Sequence, residues 1–145
     1  MTFRIRTAKL KDTEFLARLH TEIFPEDAWT REWFAEKIRQ KGARILVAEL
    51  QGAPVGLAVI SHVLDEAEIL TIGLLPELRG QRYGQLLLKA VLEQPGCHFF
   101  LEVAEDNAAA IGLYKSAGFI ESGRRSAYYR GGTDALVMVK SVPAL

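Results

Sequence analysis

The sequence predicts a mixed α/β fold, in which helices flank a largely antiparallel sheet with one parallel strand pair at its centre. Three observations lead there. A β-rich run at residues 67–75 (AEILTIGLL), a helical run at 85–93 and another β-rich run at 98–104 (HFFLEVA) follow one another closely, so the chain crosses over and the two strands run in the same direction. Two further β-rich runs, 44–50 and 54–63, meet at Gln51-Gly52, a pair suited to a tight hairpin turn. Apolar residues also recur at 3.6-residue spacing early in the chain, which supplies helices to cover the sheet.

The elements follow in order. Phe3 and Ile5 alternate with Arg4 and Arg6, the period of a half-buried strand, and Asp12 stands where an N-cap starts a helix. Phe15, Leu16, Leu19, Ile23 and Phe24 line one face of that helix until Pro25 prevents continuation. Thr30 caps a second helix bearing Trp33, Phe34 and Ile38, with Lys37, Arg39 and Lys41 near its negative end and Gly42 as its stop. Pro76 ends the run at 67–75, and Pro95-Gly96 closes the third helix. Asp106 or Asn107 caps a last helix over 108–116, with Gly118 at its C′ position and Phe119 available for the accompanying apolar contact. Residues 119–140 hold two strands around Arg130-Gly131-Gly132.

Composition narrows the function. At 145 residues, 49% apolar and 25% charged, the chain reads as one soluble globular domain over residues 1–145. Lysine plus arginine equals aspartate plus glutamate at 18 each, so no general positive field attracts phosphate backbones, and direct nucleic acid binding is disfavoured. Residues 1–11 lack the apolar centre of a signal peptide, and no stretch reaches the roughly 18 apolar residues that span a bilayer. A cytoplasmic protein without a membrane partner is expected. The single cysteine, Cys97, has no partner for an internal disulfide, and no cysteine or histidine cluster has metal-ligand spacing, so no metal is expected. Its neighbour His98 points to the opposite face of the strand, which leaves the thiol without an activating base.

One loop carries chemistry. In Leu78-Arg79-Gly80-Gln81-Arg82-Tyr83-Gly84-Gln85, two glycines let the backbone turn and approach a ligand closely just before a helix begins. Successive N–H groups at a helix N-terminus form an anion site, reinforced by the helix dipole and by Arg79 and Arg82. A bound diphosphate fits; so does a solvated turn with two arginines. Neither the P-loop nor the dinucleotide fingerprint is present.

Three side chains beyond the loop stand out. Glu102 interrupts the apolar strand Phe99-Phe100-Leu101-Glu102-Val103, where a carboxylate needs a partner or a purpose, or else sits at a wet strand end. Tyr114 lies seven residues after Asn107, two helical turns, so both share a face. A phenol there can donate to a leaving thiolate, or pack as a core aromatic; Asn107 can bind a ligand, or simply cap the helix.

Taken together these residues resemble the GNAT acetyltransferases. Arg79-Gly80-Gln81-Arg82-Tyr83-Gly84 is similar to the family's [RQ]-x-x-G-x-[GA] loop, with Arg82 where the middle glycine is usual; a Cβ there is costly only if φ is positive. Leu101-Glu102-Val103, Asn107-Ala108-Ala109-Ala110-Ile111, Leu113-Tyr114 and Ala117-Gly118-Phe119 resemble the RimI branch, as do Leu64-Asp65-Glu66-Ala67, Arg124-Arg125 with Tyr128-Tyr129, and Asp134-Ala135-Leu136-Val137-Met138. The resemblance implies the GNAT fold, with its central strand pair splayed apart, and acetyl-CoA as cosubstrate. Ile72, Gly73 and Leu74 are implied to bind its pantetheine, and Arg79 to Gln85 its pyrophosphate, through Gly80, Gln81, Arg82, Tyr83 and Gly84. It also implies that Asn107 contacts CoA, that Glu102 is the general base and that Tyr114 is the general acid. The implied acceptor is a protein N-terminus, an alanine-starting ribosomal protein in the RimI branch, with the enzyme a monomer or weak dimer. A small-molecule amine, a lysine side chain, or acetyl-CoA binding without catalysis remain the alternatives.

Overall fold

The computed structural model describes residues 2–27 and 29–145, with Arg130 described by its backbone alone. Among the described residues, seven strands and four α-helices are formed: β1 (Phe3–Thr7), α1 (Thr13–Ile23), α2 (Arg31–Arg39), β2 (Ala43–Leu50), β3 (Ala53–Val63), β4 (Glu66–Leu74), α3 (Tyr83–Val91), β5 (His98–Ala104), α4 (Ala108–Ser116), β6 (Ile120–Arg125) and β7 (Ala135–Ser141). The sheet order is β1-β2-β3-β4-β5-β7-β6, antiparallel throughout except for β4 against β5. The expected mixed sheet with a parallel central pair is therefore present.

Local chemistry accounts for most boundaries. Gln51 and Gly52 both take positive φ (53° and 81°), the hand of two-residue turn that suits strand twist, and they join β2 to β3. Thr30 Oγ1 accepts from the Trp33 amide at 3.1 Å, capping α2 as expected. The end of α4 is a Schellman motif: the Phe119 amide donates to Tyr114 O and the Gly118 amide to Lys115 O, each at 3.0 Å, with Gly118 at φ 100°. Helix α3 starts at Tyr83, two residues before the expected 85, because Tyr83 and Gly84 enter the helix and Arg82, at helical angles, becomes its N-cap residue.

Asp12 departs from its expected role. It precedes α1 by one residue but makes no side-chain cap. Its carboxylate accepts from Arg6 Nη1 at 2.8 Å and Nη2 at 3.2 Å, and from the Lys9 amide at 2.8 Å, while Arg6 Nε reaches Glu49 at 3.0 Å. A charged, two-pronged pair outcompetes one amide of a helix end. The hydrogen bond from Arg6 holds the Asp12 carboxyl below the usual carboxylate range. A pKa lower in the folded chain than in the unfolded one contributes stability that is present above the unfolded value and lost as pH falls through the folded one. Asp12→Asn should lower unfolding stability by roughly 1–3 kcal/mol at neutral pH, and urea titrations should show the gap to the parent closing below pH ~4.

Two apolar layers hold the sheet. On one face Leu16, Leu19 and Ile23 of α1 and Phe34 of α2 pack on Ile45, Val47, Leu57 and Val59. On the other, Leu87, Leu88 and Val91 of α3 and Tyr114 of α4 pack on Ile60, Ile69, Phe99 and Leu101. Strand β4 contacts this second layer through Ala67 and Ile69, then through Ile72 and Leu74, an odd-to-even change that alternation alone forbids. A bulge accounts for it: Ile69 pairs with Ile60 and Thr71 with Val59, so Leu70 is an extra residue and the strand bends there.

Candidate active site

The bend in β4 opens the sheet. Strands β4 and β5 are paired only at Glu66 with His98, Ala67 with Phe99 and Glu68 with Phe100. Beyond Glu68 the two strands part, and the backbone groups of β4 that point toward β5 have no strand partner. A cleft of about 840 Å³ fills this region. Its walls are Ile72, Gly73 and Leu74 of β4, the loop before α3, the inner face of α4, and residues 24–27 after α1.

Each expected residue has a definite place. Gly73 has no room for a side chain, since a Cβ would sit 2.7 Å from Ile23 Cγ2 and 2.8 Å from Phe24 Cζ. Arg79 lines the cleft and its Nη2 donates to Ile23 O at 3.1 Å, tying the loop to the end of α1. Gly80 supplies the left-handed turn (φ 77°). Gln81, Gly84 and Gln85 line the cleft. Arg82 adopts φ −76° and ψ −6°, ordinary helical angles, so its Cβ carries no backbone cost at the position where the family's glycine is usual. Arg82 and Tyr83 stand outside the lining, and Tyr83 stacks on Phe3 with centroids 4.8 Å apart. No side chain caps α3, so its first-turn amides keep their capacity to hold an anion.

Asn107 does two things at once. Its Oδ1 accepts from the Ala110 amide at 3.2 Å, capping α4, and its side-chain amide group remains at the cleft wall. Tyr114 lies on the same wall, only 8% exposed, its ring against Phe119 through the Schellman turn (centroids 5.7 Å). Burial, then the nearby Tyr129, pushes its phenol up to about 12. The group is thus a hydrogen-bond donor at neutral pH.

Glu102 lies across the sheet from Tyr114. Phe99, Leu101 and Val103 point into the α3–α4 layer, so alternation sends Glu102 to the α1–α2 side. Oε1 accepts from Arg125 Nη1 at 2.9 Å; Oε2 is buried and has no partner among the described residues. Glu68, on the same face because its pair partner Phe100 is two residues from Glu102, has its carboxyl raised first by burial and then by the Glu102 charge. Tyr129 is raised by burial and then by Glu102, and it contributes in turn to raising Tyr114.

Sequence reasoning missed two contributors. Phe24 and residues 25–27 form a wall, and the sequence signal for this was Gly73, whose missing Cβ leaves the space that Phe24 fills. Gly112 in the middle of α4 also lines the cleft, and no atom lies within 4 Å of the Cβ it lacks. Alanine is the better helix former, so Gly112→Ala should raise stability by about 0.5–1 kcal/mol. The same change should weaken CoA binding measured by calorimetry, because the new methyl projects into the cleft.

Other groups take no part. Cys97 Sγ faces His62 Nδ1 at 3.8 Å, and burial raises its thiol, which disfavours the thiolate. Among the described residues no group of three or more acidic, histidine or cysteine side chains could hold a metal ion.

Comparison with known proteins agrees on one family. The model of the Acetyltransferase (GNAT) family matches residues 13–119. The chain is 33% identical over 140 residues to a putative [ribosomal protein bS18]-alanine N-acetyltransferase of Bacillus subtilis, covering 92% of each. It is 35% identical over 144 residues to the [ribosomal protein bS18]-alanine N-acetyltransferase of Escherichia coli K12, covering 90% of this chain and 93% of that one. Superposed on the crystal structure of the ribosomal-protein-S18-alanine N-acetyltransferase from Escherichia coli, it gives a TM-score of 0.89 over 99% of its length and 96% of the other, at 26% identity.

Proposed function

Since the chain belongs to the GNAT acetyltransferase family and is an N-acetyltransferase of RimI-like kind, we propose that it transfers acetyl from acetyl-CoA to the α-amino group of a protein beginning with alanine, with ribosomal protein bS18 as the acceptor. The observation that carries this reading is the placement of Glu102 and Tyr114 on opposite faces of the sheet, beside the gap where β4 leaves β5.

The gap lets the two sides meet. The α3 N-terminus and Gly80 hold the pyrophosphate, and the unpaired edge of β4 at Ile72, Gly73 and Leu74 binds the pantetheine amides and polarises the thioester carbonyl, as oxyanion donors do. The peptide enters from the α1–α2 side. An α-amine has a pKa near ~8 against ~10.4 for lysine, so it needs only modest help to lose a proton, which Glu102 Oε2 accepts directly or through water. The neutral nitrogen bonds to the acetyl carbon, the C–S bond breaks, and the sulfur takes the electron pair; the nitrogen's second proton goes to Glu102, which has passed the first to water. Tyr114 donates its hydrogen bond to that sulfur. Because a phenol at about 12 is a weaker acid than a thiol at ~8.5, it stabilises the developing thiolate first, and the proton passes as the product leaves.

The test is acetylation of a peptide beginning with alanine, with the acetyl group located by fragment mass spectrometry. Acetate on the α-nitrogen supports the proposal. Transfer only to lysine Nζ, or only to free polyamines or aminoglycosides, replaces it.

A further inference from the structure

We propose that Arg125 is the positioning residue of this site: it pins one oxygen of Glu102, leaves the other free to accept, and sets its positive charge beside the two carboxylates, Glu102 and Glu68, that share this face. The inference rests on Glu102 being the base.

The geometry is specific. Arg125 ends β6, opposite Ala135 of β7, and β7 in turn pairs Val137 with Glu102, so the guanidinium reaches across one strand to its partner. Nη1 meets Oε1 at 2.9 Å, and the guanidinium carbon lies 4.5 Å from the centre of the Tyr128 ring. With Oε1 occupied, Oε2 is left buried and unpartnered, so the free acceptor has one direction available. Arg125 is 55% exposed at its side chain and Glu102 21%, which makes the pair a poor choice for fold stability alone.

Charge balance gives the second role. Glu102 is faced by Glu68 from β4, by Arg125 from β6, and by Tyr129 from the β6–β7 connection; Tyr128 lies against Arg125, Lys37 of α2 acts on Glu68 and Asp27 on Tyr129. Two carboxylates in one partly buried site tend to hold a proton between them, which takes the base out of action. Burial and the Glu102 charge already raise Glu68. Arg125 is bonded to Glu102 and, with Lys37, also lowers Glu68, so removing it takes away the positive charge in direct contact with the base.

The test uses Arg125→Ala, Arg125→Lys and the double variant Arg125→Ala with Glu68→Gln. In Arg125→Ala the acidic limb of the kcat profile should move up by about one pH unit, a roughly tenfold loss at neutral pH that is recovered in alkali. KM for acetyl-CoA should stay as in the parent. Arg125→Lys keeps the charge and should hold the limb near its parent position. In the double variant the loss of the second carboxylate should bring the limb back, an outcome that a purely structural role for Arg125 does not produce. A carboxyl-carbon NMR titration of Glu102 in the same proteins follows the proton without turnover. A titration midpoint that stays put in Arg125→Ala, or a double variant that does not return, overturns the inference. If the parent protein acetylates no α-amine, the functional reading fails while the titration still judges the pairing.

Discussion

Glu102→Gln is expected to lower kcat for α-amine acetylation by roughly 10²–10⁴-fold, the range that a positioned general base supplies. Glutamine keeps the shape of the side chain and an oxygen for Arg125, so the β5–β6 contact survives and folding should be little changed. What disappears is the buried acceptor, Oε2, to which the proposed mechanism assigns the proton of the amine. KM for acetyl-CoA should hold, since the cleft proposed for it, lined by α3, β4 and α4, does not include Glu102. The deficit should shrink as pH rises past ~8, where the α-amine loses its proton unaided. Steady-state rates across pH, with CoA release as the signal, check both points; a deficit that is the same at every pH would show that Glu102 acts by something other than proton removal.

Tyr114→Phe should lower kcat by about 10²-fold, a loss of about 2.7 kcal/mol in transition-state stabilisation. Only the hydroxyl is removed, and the ring remains seated against Phe119, so thermal stability should be close to that of the parent. The effect should depend on the leaving group. A more acidic thiol departs without help, so acetyl thioesters of such thiols should narrow the gap between variant and parent, and a gap independent of the thiol would assign Tyr114 to binding. Because burial places the phenol at about 12, no alkaline loss of rate from Tyr114 is expected below that pH.

Glu102 stands out in the sequence as a carboxylate in an apolar strand, whereas Tyr114, two helical turns from Asn107, reads equally as a core aromatic and is singled out only by the joint pattern that resembles the RimI branch. The turn at Gln51-Gly52, the cap at Thr30 and the C′ glycine at 118 were legible because a few neighbouring residues decide them. Asp12 was misjudged as a cap because its partner Arg6 became the better one only when β1 and the start of α1 were placed together.

The order of strands and helices, the turn positions, the glycine-containing loop before α3 and the unusual side chains were determined by the sequence itself, through period-2 and period-3.6 patterning and backbone preference. Tertiary structure alone decided the rest. The bulge at Leu70 is a shift in pairing between β3 and β4, and it takes the strand away from β5 and so opens the cleft. Phe24 becomes a wall because Gly73 leaves space fifty residues away in the chain, and Arg125 meets Glu102 only across β7. Such contacts join residues far apart in sequence, and no local preference encodes a distance that exists only once the sheet has closed.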